Sequence, residues 1–174
     1  MIGGRGMANN PAWLPGLVQI SEYGGNWEKY LEAIYQIFRK DFLESQPVFR
    51  GSRVQAINPK RVQGKEATFW HIISEGKDED ERTPDFERCK RIRWSRAIIE
   101  KGEPEPVLKI WESSRGRETR VLLRLTFTDN DYLVVLVRHA GKIFLLTAYL
   151  LTWPNQKRKL QEEYEAYQKA NAAL

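Results

Sequence analysis

The sequence predicts an α+β domain: a four-stranded antiparallel meander sheet packed against N-terminal helices, with a C-terminal helix. Three observations carry that expectation. Apolar residues in the first half recur at helical spacing, those of residues 106–151 fall into four strand-like runs, and a polar segment opened by Pro154 closes the chain. Helices and strands that segregate along a chain, rather than alternate, belong to the α+β class. The 174 residues suit one domain over 26–174, behind a flexible N-terminal segment over 1–25.

Trp27, Tyr30, Leu31, Ile34, Phe38 and Phe42 repeat every three or four residues behind Asn26, an N-cap residue type, and predict an amphipathic helix over 27–44. After Pro47, VFRGSRVQAI reads as a short extended segment. EATFWHII fits a strand or a helix, because its bulky aromatics and isoleucines favour a strand without clean alternation. A second helix is expected from Thr83-Pro84 to about Lys101, stopped by Gly102 and Pro104. VLKIWES, ETRVLLRLTF, YLVVLVR and KIFLLTAYLL then read as strands, with SRGR, TDND and HAGK between them. Connections so short join antiparallel neighbours. In QKRKLQEEYEAYQKA, Leu160, Tyr164 and Tyr167 share one helical face.

Hydrophobic residues make up 41% and charged residues 29%, so burial can offset the ordering entropy of most of the chain. No stretch reaches the roughly 20 apolar residues of a membrane-spanning helix, because RHAGK parts the two longest runs. No membrane partner is expected. The leading MIGGRG lacks the apolar core of a secretory signal, and Met7 is a candidate start. Cys89 is the single cysteine, which excludes an internal disulfide and a multi-cysteine metal site and suits a cytoplasmic protein. With two histidines besides, and no Walker loop or dinucleotide fingerprint, neither metal nor cofactor is expected.

The formal charge of +5 permits a polyanion partner. Arginine outnumbers lysine, 16 to 12, and clusters at Arg88, Arg91, Arg93 and Arg96 and again at Arg115, Arg117, Arg120 and Arg124. The guanidinium fork suits phosphate better than a point charge does. Arg91, Arg93, Arg120 and Arg138, with Ser74, are therefore candidate substrate-binding residues. Ion pairs with the acidic run KDEDERTPDFE are the plainer reading of the same clusters.

Period-two geometry in the last strand sets Ile143, Leu145, Thr147 and Tyr149 on one face. Phe144, Leu146, Ala148 and Leu150 form a purely apolar opposite face, expected to meet the helices. Thr147 and Tyr149 are then a hydroxyl pair on the open face, although both residues are also good strand formers. His71 sits among aromatic and aliphatic residues, followed by Ser74 and Glu75, where an imidazole serves either as packing or as a general acid or base. His139 reads as a turn residue. Metal-free RNA cleavage needs a base for the 2′-hydroxyl proton, an acid for the departing 5′-oxygen and cations for the phosphorane, and His71, the arginines and the hydroxyl pair offer those groups.

The stretches FWHIISEG at 69–76, RCKRIRW at 88–94 and FLLTAY at 144–149, with helices ahead of a meander, resemble phage-borne and polymorphic-toxin members of the nuclease fold that unites barnase, EndoU, colicin-type tRNases and RelE toxins. The resemblance implies a general acid or base at His71 and a late-strand hydroxyl pair at Thr147 and Tyr149. The second histidine and lysine usual in EndoU-type enzymes have only His139 and Lys142 as counterparts here. It implies a metal-independent endoribonuclease, a toxin or phage-associated effector, with RNA as substrate and a cognate inhibitor protein as partner. The alternatives are a non-catalytic RNA-binding or protein-interaction module on the same fold, and an immunity-like protein whose arginines meet an acidic partner.

Overall fold

A computed structural model describes residues 10–78, 81–127 and 131–172. The candidate start Met7, two residues of the acidic run at 79–80, and most of the TDND turn lie outside the described residues.

The helical periodicity behind Asn26 becomes α1 (Trp27–Phe38). The Asn26 side chain accepts from the Lys29 amide at 2.9 Å, and the chain continues as a π-helical turn over Arg39–Glu44. Tyr30, Ile34, Phe38 and Phe42 are all buried, as their spacing requires. Ahead of α1, within the stretch expected to be flexible, Leu14 and Val18 are buried. The Val18 amide donates to the Lys90 carbonyl at 2.9 Å, and the Trp94 indole to the Pro15 carbonyl at 2.9 Å.

Two short pairs follow, β1 (Val48–Phe49) with β2 (Ser52–Ala56), and β3 (Arg61–Val62) with β4 (Lys65–Glu66). The ambiguous EATFWHII forms a helix, α2 (Ala67–Ile73), which buries Phe69, Ile72 and Ile73 in the main core. The helix expected from Thr83 starts later. Strands β5 (Ser74–Glu75) and β6 (Thr83–Pro84) pair first, and α3 (Phe86–Lys90) begins behind Asp85, whose carboxylate accepts from the Glu87 and Arg88 amides. Bonds from the amides of Arg91, Ile92 and Trp94 to carbonyls three residues back tighten the chain into a turn before α4 (Trp94–Lys101). Gly102 ends α4 in the left-handed conformation, at φ 63°.

The meander is present as β7 (Leu108–Arg115), β8 (Glu118–Leu125), β9 (Asp131–His139) and β10 (Lys142–Leu151), with antiparallel registers throughout. The expected four-stranded antiparallel sheet is nevertheless wrong. The sheet has six strands in the order β1-β2-β10-β9-β8-β7, and β2 joins β10 in parallel, with Ile143 opposite Val54 and Leu145 opposite Ala56. The sheet curls into a half-barrel. Without β2, the backbone groups along the outer side of a buried β10 would lack partners.

Both faces of this sheet are covered, which explains why its strands read as nearly continuous apolar runs. One face packs on the N-terminal helices in the main core, where Trp94, Phe69, Leu123 and Leu136 are almost wholly buried. The other buries Trp111, Leu122, Leu133, Val135 and Leu151 beneath α5 (Pro154–Ala172), through Leu160, Tyr164 and Tyr167. The Trp111 indole donates to Glu163 at 2.8 Å. Arg124 and Asp131 form a buried ion pair on this second face, and Arg124 also donates to the Lys157 carbonyl of α5 at 3.2 Å. Among the described residues no helix is long and apolar enough to cross a membrane.

Candidate active site

The last strand does not alternate as expected. Leu145 pairs with Leu136 and Thr147 with Val135, which makes Leu146 an extra, bulged residue that resets the period. Ile143 and Leu145, ahead of the bulge, share the helix-packed core with Ala148, beyond it. Thr147 and Tyr149 do share a face, but it is the opposite one, against Val135 and Leu133. The apolar set Phe144, Leu146, Ala148 and Leu150 is therefore split between two faces.

The bulge lies beside the end of α2. His71, Ser74, Glu75, Gly76, Arg82, Arg88, Leu146, Thr147 and Trp153 line one open cleft of about 550 Å³. His71 projects half-buried from the last turn of α2, whose other side is committed to the core. Arg88 joins the cleft's two walls. It donates to the carbonyls of His71 at 3.3 Å and Ser74 at 2.9 Å, two C-terminal groups that α2 cannot satisfy internally. Its guanidinium lies 3.6 Å from the Glu75 carboxylate and 5.2 Å from the centre of the Tyr149 ring.

Tyr149 thus stands beneath Arg88 rather than among the lining residues. Its hydroxyl accepts from the Gln156 amide of α5 at 3.0 Å, and burial raises its pKa above the ordinary value, with Arg88 opposing. Ser74 is wholly buried, and its hydroxyl makes no hydrogen bond among the described residues. Trp153, the residue before Pro154 at the start of α5, is 72% exposed at the cleft's rim.

The arginine clusters do not converge. Arg120 lies on the same sheet face as Thr147 and Tyr149, and its charge opposes the rise of the Tyr149 pKa that burial causes. Arg91 is buried, bonded to Glu87 at 2.7 Å and held over the Trp94 ring. Arg93 lines a different cleft with Trp13, Lys40, Asp41 and Arg96, where burial lifts the Asp41 pKa despite those arginines. Arg138 lies on the helix-packed face, 3.4 Å from Glu112. Of the second cluster, Arg115 pairs with Glu163 and Arg124 with Asp131. Helical turns and pleats send neighbours in sequence to opposite sides.

Sequence reasoning missed Arg82 and Trp153 as cleft residues. A bulky aromatic in the polar linker LTWPN is a signal for the second, since an indole there has no local core to enter. Among the described residues no three His, Cys, Asp or Glu side chains come together in a group suited to a metal ion. No family model, curated protein or solved structure matches the chain.

Proposed function

We propose that the protein is a metal-independent endoribonuclease whose scissile phosphate binds in the cleft between α2 and β10. The single observation that supports this reading is the meeting of His71, from the first half of the chain, with Thr147, from its last strand, in one cleft that also holds Arg82 and Arg88. Imidazole titrates near neutral pH and suits proton transfer there. His71 takes the proton of the 2′-hydroxyl, the freed oxygen attacks phosphorus, and the bond to the 5′-oxygen breaks. The products are a 2′,3′-cyclic phosphate and a 5′-hydroxyl, whose proton comes from solvent in the open cleft. Arg82 and Arg88 offset the phosphorane's charge, and the hydroxyl of Thr147 donates to its oxygens, while Ser74, wholly buried, stays within the cleft wall. Tyr149 is a positioning residue that holds Arg88. The toxin or effector role, the cytoplasmic RNA substrate and the cognate inhibitor belong to the same reading.

The test is incubation with total RNA in EDTA, with the ends mapped. Expected are 2′,3′-cyclic phosphate ends from the wild type, and a loss of roughly 100- to 10,000-fold for His71→Ala with unchanged folding. Cleavage that survives His71→Ala overturns the assignment. Salt-sensitive RNA binding without cleavage supports the non-catalytic module instead.

A further inference from the structure

Beyond Arg82, away from Thr147, lies a second and smaller pocket. Trp27, Leu31, Val62, Gln63, Trp70 and Pro84 enclose about 190 Å³ of it, with Arg82 as the shared wall. That is below the roughly 300 Å³ at which ordinary small-molecule sites begin, a size suited to one planar ring system. A small recess lined by Val62, Trp70, His71 and Arg82 lies between it and the cleft and shares walls with both.

Both indoles are held in place. Trp70 donates its ring N–H to the Val62 carbonyl at 2.8 Å. Trp27 packs edge-on against Phe86 at 5.5 Å and Tyr30 at 6.1 Å. Gln63 is the less expected member. It sits at the tip of the β3–β4 hairpin with φ 49°, followed by Gly64 with φ 76°. A two-residue hairpin turn with both φ values positive takes Asn, Asp or Gly at its first position, and a longer side chain there is strained. The turns at Arg50–Gly51 and Ala140–Gly141 have the same conformation, so what distinguishes Gln63 is its place in the pocket wall. What it secures here is an exposed amide, one donor and one acceptor, beside two aromatic rings.

We infer that this pocket is a nucleobase subsite: the base next to the scissile phosphate stacks on Trp27 and Trp70, the Gln63 amide pairs with its edge, and Arg82 lies by the phosphate between. The inference rests on the RNA reading above and adds to it that cleavage discriminates among bases. Stacking is indifferent to base identity, whereas an amide's paired donor and acceptor are not.

The indole N–H resonances of the full chain, followed by NMR in EDTA, test this with the four nucleoside 3′-monophosphates and with inorganic phosphate. Trp27 and Trp70 signals should move with nucleotides and stay still with phosphate alone, and one base should bind at least about 5-fold more tightly than the weakest, within the range of a single base contact. Trp27→Leu should weaken that nucleotide about 10-fold. Gln63→Gly, which relieves the turn, should keep or raise stability while removing the preference. Nucleotides that leave both indoles unmoved, or that bind without regard to base, overturn the subsite. RNA cleavage that persists with neither variant altering its base preference sinks the subsite and leaves the nuclease standing. Base-selective binding at Trp27 and Trp70 with intact RNA in EDTA sinks the nuclease and leaves the subsite.

Discussion

Replacing Asp131 with alanine should be among the most damaging single changes in this chain. The Asp131 and Arg124 side chains are 12% and 7% exposed, on the sheet face closed by α5. Removing the carboxylate leaves a guanidinium in a low-dielectric setting, with the Lys157 carbonyl as its remaining hydrogen-bond partner among the described residues. Breaking a buried pair in this way costs about 3–5 kcal/mol. Each kcal/mol lowers the Tm of a domain this size by about 2–4 °C, so a fall of about 6–20 °C is expected. Thermal unfolding followed by far-ultraviolet circular dichroism at neutral pH measures it. The double change Arg124→Met with Asp131→Leu should recover most of the loss, because it removes both desolvation costs and keeps the volume. A shift under about 3 °C for Asp131→Ala, or a double variant no better than the single, would refute the claim that this pair is dry and holds α5 on the sheet.

Two further outcomes follow from the same geometry. Tyr149→Phe keeps the ring beneath Arg88 and loses one hydrogen bond to Gln156, so RNA cleavage should stay within about 3-fold and stability fall by about 1 kcal/mol. Tyr149→Leu removes the ring and should slow cleavage by about 10-fold, since a cation–π contact is worth about 1–2 kcal/mol; equal losses in both variants would instead make the hydroxyl the working group. Burial pushes the pKa of Cys89 and of Tyr132 up to about 12. Below the unfolded values, near 8.5 and 10, both states hold these protons and stability is flat. Above them the unfolded chain releases protons that the folded chain keeps, so stability falls as pH climbs toward 12, by up to about 1.4 kcal/mol per unit for each group. Urea midpoints at pH 7, 9, 10.5 and 11.5 check this, and a constant midpoint would contradict it.

Local periodicity by itself determined α1, the four strands of the meander and α5, because each is specified by contacts between residues a few positions apart. Gly102 as a helix stop and Asn26 as a cap were legible for the same reason. So was the shared face of Thr147 and Tyr149, since a bulge ahead of two residues leaves their own relation unchanged. Only the tertiary structure decided which face that is, because the extra residue Leu146 has no sequence mark and is fixed by pairing with β9. It also decided that FWHII is helical, where packing of Phe69, Ile72 and Ile73 into one core outweighs the strand preference of bulky side chains. The extended character of residues 48–57 was legible, but their place as the fifth and sixth strands of the sheet was not, because β2 finds its partner nearly ninety residues later in the chain, as Val54 against Ile143. The cleft was half legible: His71 and Ser74 lie close in sequence, but their meeting with Thr147, and Arg88's choice of the α2 carbonyls and the Tyr149 ring over the acidic run alone, depend on distances that no spacing along the chain encodes.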